Sequence, residues 1–429
     1  MFKIFKNSWA LFSGFAVLIT AHGFQGNLLQ VRSVIEDFSF ITTGIIMSGY
    51  FVGYFVGANM IPNFVSKVGH IRVFAAFASM ASLSILLHAI FINPIMWTLG
   101  RFLTGFSLIG VYIVVESWLN DRATNRNRGS VLSMYMFITF TGLGVGTLLL
   151  NFNKPEQYEP FILISLLFSI ALVPILLTKR AAPKFKKISF MKIKQLYKIS
   201  PLGTFSMLCT GFIHSAIFGY GAVYASSLNF TIFEISLFLF LITMAGAIFQ
   251  FPIGYFSDLK DRRIILIGCT FLSAIFCILS IFASGTSLEN MYLASSVGMN
   301  KVIFLTFVTI YAGFALPMFT LNLAYVNDFI EREKFVAAGA GMQIIFGIGA
   351  MGGPLLASIF MNLYGSNGFF IFLTIVHLLV GLFGMYRITK RDYEENPDST
   401  FTPLPRSITP LGIELDPTTG ADLSNSDKK

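Results

Sequence analysis

The chain has 429 residues, and 55% of them are hydrophobic whereas only 12% are charged, about half of the ~25% charged share of soluble proteins. So few charges cannot cover a water-soluble surface, but they suit a surface that faces lipid. Three cysteines, Cys209, Cys269 and Cys277, all lie in apolar runs, which excludes a disulfide framework and a CxxC-type zinc site. The net charge of +9 has to be interpreted from where the basic residues lie.

Twelve apolar runs are long enough to cross a membrane, because a hydrocarbon core of ~30 Å needs about 20 helical residues. The runs are too long and too uniformly apolar for barrel strands, so the sequence predicts twelve helices. Many of the 37 glycines lie inside them, which allows close helix packing. The predicted spans are 8–29, 42–64, 71–92, 94–116, 130–150, 159–178, 201–225, 232–256, 263–284, 301–325, 335–361 and 367–387.

The first run resembles a secretory signal, because Lys3 and Lys6 precede it. However, Ala21-His22-Gly23 is a poor small-x-small cleavage site, and the run has a counterpart in the second half of the chain. We therefore expect this run to be the first membrane helix.

Lysine and arginine predict the orientation, because cytoplasmic loops carry an excess of both. With a cytoplasmic N-terminus, 23 of the 30 basic residues lie inside and only three, Arg32, Lys154 and Lys301, lie outside. We therefore expect a multi-pass protein of the cell (cytoplasmic/inner) membrane with both termini in the cytoplasm. The positive charge is then a signal of topology, and nucleic acid is not an expected partner.

Two segments outside the spans differ from the rest in composition. Residues 179–200 carry eight basic residues and no acidic one, which indicates a solvated cytoplasmic linker beside anionic headgroups, with a specific lipid site as the alternative. Residues 388–429 contain five prolines among several Ser, Thr and Asp, so a disordered cytoplasmic tail is predicted there. The remaining residues are predicted to form an N-terminal six-helix bundle, 1–178, and a C-terminal one, 201–387.

The two halves of the chain repeat each other at two constant offsets. An offset of 192 relates Phe38-Ser39 to Phe230-Thr231. After an insertion in the loop 285–300, an offset of 207 relates Asn120-Asp121 to Asn327-Asp328. The predicted fold is therefore an all-α polytopic membrane protein with twelve transmembrane helices in two six-helix pseudo-repeats. Such halves can rock about a site near the midplane, which is the alternating access of secondary transporters.

Residues 254–263, GYFSDLKDRR, resemble the signature of the major facilitator superfamily between the second and third helices of a half: Gly, three residues, Asp, two residues, Gly and two basic residues. Asp261 replaces the second glycine, and the first-half copy keeps Gly69 and Arg72. The resemblance covers about residues 8–390 and implies the major facilitator fold. It also implies a cytoplasmic latch in which Asp258, Arg262 and Arg263, beside Gly254, form ion pairs in one state and part in the other.

Two further segments carry the resemblance. Arg101 with Gly105 resembles the superfamily's arginine signature in the fourth helix. Residues 116–120, ESWLN, and the following NRNRG at 125–129 are similar to a branch of largely uncharacterised bacterial permeases.

Arg101 is the candidate residue with the clearest chemistry. It lies seven residues into the fourth span, roughly 10 Å deep at 1.5 Å per residue. A charge at the centre of a lone helix costs about 2.5–3.5 kcal/mol, so such residues usually face a cavity. We expect Arg101 to bind an anionic group of the substrate or to tune a protonatable neighbour. The alternatives are snorkelling to the outer headgroups and a bond that ties the fourth helix to the first.

Other polar residues inside the spans are candidates for the substrate or proton pathway. His22 and His214 are equivalent in the repeat, and the unperturbed pKa of imidazole near 6.5 allows proton exchange near neutral pH. The alternative for each is a neutral ring that is hydrogen-bonded between helices. The remaining pathway candidates are Gln25, Tyr220, Tyr224, Gln250, Asn322 and Gln343.

No acidic residue lies deep in a predicted span, which weakens a proton-antiport scheme based on a buried carboxylate. Glu116 and Asp121 close the cytoplasmic end of the fourth span. We expect them to be gate partners of Arg72 or Arg122 rather than proton carriers.

The leading functional hypothesis is a secondary transporter that moves a small organic solute and is coupled to an ion, expected to be a proton. Uptake and efflux both fit, and the alternative is a transporter-like receptor that binds a solute without moving it. An enzyme or an ATP-driven pump is disfavoured, because the sequence has no HExxH, no GxSxG and no phosphate-binding loop. The expected partners are the solute, the coupling ion and the lipid bilayer, with no cofactor or metal, and a monomer is the expected working unit.

Overall fold

The computed structural model describes residues 2–124, 126–177, 189–285, 301–393, 396 and 398–419, with residues 2–8 described by backbone alone. The described residues form α-helices and short 3-10 helices, and no β-strand occurs among them. The predictions that concern residues 178–188 and 420–429 lie outside the described residues.

The helices of the first half match the first six predicted spans. The sixth crossing is broken at Ala171 into two helices. These helices are α1 (Phe2–Ile35), α2 (Phe40–Val68), α3 (His70–Ile90), α4 (Pro94–Arg122), α5 (Arg128–Leu148), α6 (Glu159–Ile170) and α7 (Leu172–Leu176). Helices α1, α2 and α4 extend beyond the predicted bounds, whereas α3, α5 and α7 end two residues earlier.

The second half follows a short helix in the linker, α8 (Ile193–Ile199). Its tenth crossing was predicted as one helix, but it is broken before Pro317, a residue without the N–H that a continuous helix needs. These helices are α9 (Pro201–Ser227), α10 (Ile232–Leu259), α11 (Arg262–Ala283), α12 (Lys301–Ala315), α13 (Met318–Asn327), α14 (Phe335–Tyr364) and α15 (Gly368–Ile388).

The lengths and compositions of the helices suit a membrane. Among the described residues, ten segments are long and apolar enough to cross one, and the segment 332–388 contains both α14 and α15. Helix α1 is not among these segments, although it has 34 residues. It carries several polar side chains, including His22, Gln25 and Gln30, which lower its hydropathy.

Equivalent residues of the two halves perform equivalent structural tasks. Ser39 caps α2 by accepting a hydrogen bond from the amide of Thr42 at 3.2 Å. Thr231, 192 residues later, caps α10 by accepting one from the amide of Glu234 at 3.3 Å. Each cap satisfies a backbone donor that a helix start leaves without a partner.

Glycines bring equivalent helix pairs into backbone contact in both halves. A Cβ built on Gly146 of α5 would lie 3.0 Å from the Cα of Gly23 of α1. A Cβ built on Gly349 of α14 would lie 3.1 Å from the Cα of Gly211 of α9. Because side chains would separate these helices, the glycines allow the close approach on which helix association in lipid depends.

The two halves meet tightly at one end of the bundle, which we call the far end because it lies opposite the linker. Gln30 of α1 donates to the carbonyl of Phe218 of α9 at 3.0 Å and accepts from the amide of Ala222 at 2.9 Å. Tyr220 donates to the carbonyl of Phe40 of α2 at 2.8 Å. These bonds cross from one half to the other and close the far end.

The opposite end, called the linker end, is filled by the C-terminal segment. Residues 398–419 lie against the bundle and include a short helix, α16 (Pro410–Ile413). The prediction of a disordered tail is therefore wrong for this described part. Apolar side chains of this segment are buried between the two halves. They belong to Phe401, Leu404, Ile408, Leu411, Ile413 and Leu415.

Candidate functional site

A cavity of about 300 Å³ lies between the two halves. Its wall comes from α1, α2, α4 and α5 of the first half, from α9, α10 and α14 of the second half, and from the C-terminal segment. Much of this wall is aromatic. Its aromatic residues include Tyr50, Tyr54, Tyr112 and Phe218.

Arg101 lies in the wall of this cavity, and its side chain is 3% exposed. Its guanidinium carbon lies 4.8 Å from the centre of the Tyr50 ring, a cation–π distance. Its Nε and Nη1 atoms have no hydrogen-bond partner among the described residues. The residues that line the cavity include no Asp or Glu, so the cavity contains a cation without a described acidic counterion.

His22 lies beside Arg101 and Tyr50, on the part of the wall that α1 forms. Its ring stacks on Tyr50 with 5.3 Å between ring centres and 21° between planes. Its Nε2 lies 3.4 Å from the Tyr50 hydroxyl, and its Nδ1 has no described partner. Helices α1, α2 and α4 thus bring together Arg101, Tyr50 and His22, which we call the arginine cluster.

A second arginine reaches the cavity from the C-terminal segment. Arg406 lies over Phe218 with 3.3 Å from its guanidinium carbon to the ring centre, and its Nη1 donates to the carbonyl of His214 at 3.3 Å. Gln343 of α14 donates to the carbonyl of Arg406 at 3.3 Å. Burial lowers the pKa of Arg406 to about 10, so the side chain still carries its charge at neutral pH.

Glu116 of α4 is fully buried and binds the same segment. Its carboxylate accepts hydrogen bonds from the amide of Thr409 at 2.9 Å, from the Thr409 hydroxyl and from the amide of Gly412 at 3.0 Å. Tyr135 of α5 donates a fourth bond at 2.6 Å. The prediction that Glu116 pairs with an arginine of the gate is wrong, because the C-terminal segment takes that position.

The other predicted gate residues of the first half lie at the linker end. Arg72 and Asp121 are exposed, and neither lines the cavity. The guanidinium carbon of Arg122 lies 6.0 Å from the centre of the Trp118 ring. The structure therefore does not bring Asp121 together with Arg72 as an ion pair.

The predicted latch of the second half joins helices within that half. Arg262 pairs with Asp258 of α10 at 2.6 Å and with Asp328, which follows α13. Arg263 pairs with Asp261 at 2.6 Å. Burial raises the pKa of Asp328 to about 7, against the opposing effect of Arg262. Gly254 lies beside this network.

Several predicted pathway residues do not line the cavity in this structure. Gln25 donates to the Thr104 hydroxyl at 3.1 Å, and Asn322 donates to the Thr210 hydroxyl at 3.0 Å. Each bond joins neighbouring helices of one half, because membrane helices satisfy polar side chains in this way.

The remaining pathway candidates have other partners as well. Gln250 accepts from Thr320 at 3.5 Å, and Tyr224 stacks on Phe369 with 4.7 Å between ring centres. The Nε2 atom of His214 lies 3.3 Å from the carbonyl oxygen of Ala315. Of the predicted residues, the cavity wall includes Arg101, His22 and Gln343.

The sequence reasoning missed the tyrosines and Arg406. Tyr50 and Tyr54 are four residues apart on α2 and therefore share a face, a spacing that was visible in the sequence. Arg406 follows two prolines in a segment of low hydropathy, and nothing local distinguishes it from a solvated residue. Among the described residues, no group of His, Cys, Asp and Glu is arranged to hold a metal ion.

Comparison with known protein families gives a match across most of the chain. A family model described as Major Facilitator Superfamily matches residues 8–311 and, in a second match, residues 204–418. An uncharacterised MFS-type transporter, YcaD of Escherichia fergusonii, is 23% identical over 371 residues, which cover 86% of this chain and 92% of the relative.

Solved structures show the same fold. The nucleoside transporter NupG superposes with a TM-score of 0.71 at 12% identity and covers 90% of this chain and 99% of its own. The Escherichia coli fucose:proton symporter FucP superposes with a TM-score of 0.52 at 14% identity and covers 88% and 97%. The predicted fold class, an all-α polytopic membrane protein of twelve helices in two six-helix repeats, is confirmed.

Proposed function

The chain belongs to the major facilitator superfamily, and from this we propose that it is a secondary active transporter of a small organic anion. It is a multi-pass membrane transport protein and not an enzyme. The two six-helix bundles, 1–178 and 201–387, rock about the central cavity and expose it to one side of the membrane at a time. One chain forms the whole cavity, which supports a monomer as the working unit.

We propose that the protein lies in the inner membrane of the cell and that its linker end faces the cytoplasm. The support is the distribution of basic residues in the sequence, where 23 of the 30 lie in segments predicted to be cytoplasmic and three in segments predicted to be outside. Because the far end is closed by bonds between the halves, the structure then corresponds to an inward-facing state.

The observation that carries the choice of an anion is the state of Arg101. A buried guanidinium with two unpartnered nitrogen atoms is costly, since each unsatisfied donor forfeits its hydrogen bonds to water. A carboxylate or phosphate would accept from Nη1 together with Nη2, or from Nε together with Nη2, in the planar, bidentate geometry that arginine favours. The aromatic wall around it would contact the apolar part of the solute.

Proton coupling is proposed through His22. An anion held by Arg101 would neutralise the cation next to His22, and a protonated imidazole would then be easier to form. Anion binding and proton binding would therefore favour each other, as thermodynamic linkage requires. Movement of both in one direction would make the protein a proton symporter.

The test is a thermal-shift screen of the purified protein against organic carboxylates, phosphates, neutral solutes and cations. A ligand that binds the folded state raises the apparent stability. We expect anions to stabilise the native protein and to have no effect on Arg101→Gln. The matched control is Arg72→Gln, which removes an exposed arginine from the linker end.

Two results would contradict the proposal. One is stabilisation by neutral or cationic solutes alone, and the other is equal stabilisation of the native protein and of Arg101→Gln. A stabilising anion should next be tested for flux into proteoliposomes. Binding without flux under a proton gradient would favour the alternative of a transporter-like receptor.

A further inference from the structure

Residues 398–419, which we call the tail plug, cross the linker end of the cavity and contact both halves of the protein. The plug reaches far into the bundle, because Arg406 contacts Phe218, more than half way along α9 from the linker end. The plug therefore occupies the opening through which a solute would pass between the cavity and the linker side.

Contacts with the first half are specific hydrogen bonds to the backbone of the plug. Glu116 accepts from two of its amides, and Asn120 donates to the carbonyl of Leu411. Tyr54 donates to the carbonyl of Ser407 at 2.8 Å. Arg128 donates to the carbonyl of Glu414 at 2.8 Å. Each of these side chains is anchored on a membrane helix or at its end.

The second half binds the plug in the same manner. Asp258 accepts from the amide of Phe401 at 2.9 Å, and Arg262 donates to the carbonyl of Ser399 at 2.6 Å. Arg332 donates to the carbonyl of Thr418 at 2.8 Å. The signature residues Asp258 and Arg262 thus bind the plug in addition to each other.

Two glycines on membrane helices make room for the plug. A Cβ built on Gly339 of α14 would lie 2.8 Å from Cδ1 of Ile413, and its three nearest atoms all belong to that residue. A Cβ built on Gly254 of α10 would collide with the ring of Phe401, which again supplies all three nearest atoms. At both positions the space that a side chain would need is taken by the plug.

We propose that the tail plug is an autoinhibitory segment that holds the transporter in the inward-facing state. Closure of the linker end requires the two halves to approach where the plug now separates them, so the plug has to leave before the cavity can open at the far end. The proposal rests on alternating access but on no particular substrate.

The experiment uses the full-length protein without ligand and two pairs of spin labels. One pair, Pro417→Cys and Lys260→Cys, measures the distance from the plug to the linker end. The other pair, Glu156→Cys and Asn362→Cys, spans the far end between the halves. All four positions are exposed, and the three native cysteines are buried, so the labels attach at the chosen sites.

The native protein should give a narrow plug distance and a short far-end distance. Gly339→Leu should broaden the plug distance and add a longer component at the far end, because the leucine takes the space of Ile413. Thr409→Pro should do the same by removing the amide donor to Glu116, and it changes only the plug. The control is Gly268→Leu on α11, where a Cβ meets no atom within 4 Å.

A plug distance that stays narrow in both variants would overturn the docking that we describe. A released plug with an unchanged far end would overturn the autoinhibition. Because no ligand is present, neither result bears on the proposal that Arg101 binds an anion. Failure of the anion screen likewise does not bear on the proposal that the tail plug is autoinhibitory.

Discussion

The substitution Glu116→Gln tests how strongly a single buried side chain holds the tail plug. Three of the four hydrogen bonds to this carboxylate come from Thr409 and Gly412 of the plug. A glutamine of the same shape keeps one acceptor oxygen and turns an NH₂ group toward backbone donors, so at least one bond is lost. A hydrogen bond to a charged group contributes about 1.5–3 kcal/mol. We therefore expect the released fraction to rise about 10- to 100-fold, at tenfold for each ~1.4 kcal/mol.

Limited trypsin digestion measures this fraction directly, because Arg406 is a cleavage site inside the docked plug. When opening and closing are faster than cleavage, the rate follows the population of the open form. Mass spectrometry of the fragment that begins at Ser407 reports cleavage there. Cleavage after Lys301, an exposed residue at the far-end start of α12, reports any general loosening of the bundle.

Tyr135→Phe is the matched control, since it removes the bond to Glu116 that does not come from the plug. It should change cleavage after Arg406 far less than Glu116→Gln. Equal cleavage of Glu116→Gln and the native protein would refute the reasoning. An increase that is the same after Lys301 and after Arg406 would refute it too, because the effect would then not be local to the plug.

Three further predictions concern Arg101, His22 and Asp258. Arg101→Lys keeps the charge but loses the bidentate fork, so anions should stabilise it in the thermal-shift assay several-fold more weakly than the native protein; equal shifts would contradict the bidentate role. His22→Gln should flatten the pH dependence of proteoliposome flux between about pH 5 and 8. His214→Gln should leave this pH dependence unchanged, because the His214 ring faces the Ala315 carbonyl. The reverse result would assign proton coupling to His214 instead of His22. Asp258→Asn should speed cleavage after Arg406 by less than Glu116→Gln does, because Asp258 accepts a hydrogen bond from one plug amide and is partly exposed. An unchanged cleavage rate would mean that the bond to Asp258 does not hold the plug and that only bonds to the first half do.

The membrane helices were predictable because the bilayer dictates their pattern. Every crossing needs an apolar run that satisfies its own backbone, and no tertiary contact can change that requirement. The repeat was readable for a similar reason, since residues that start helices, such as Ser39 and Thr231, perform a local task. The breaks before Pro317 and at Ala171 were missed because apolar residues continue across both.

The tail plug shows where composition misleads. Five prolines and many small polar residues indicate disorder, and no regular period marks the apolar residues between them. The segment is ordered by partners distant in the sequence, such as Glu116, Asp258 and Gly339. A groove formed by two halves together is not encoded in any local window of the chain.

The sequence by itself determined the class of the protein, its crossings, its repeat and the presence of a charge inside a span. Only the tertiary structure decided which polar side chains face the cavity. In a helix that is apolar on nearly every face, a polar residue can turn toward the cavity, as His22 does, or toward a neighbouring helix, as Gln25 does only three residues later. The rotation of the helix about its axis is set by packing against the other helices.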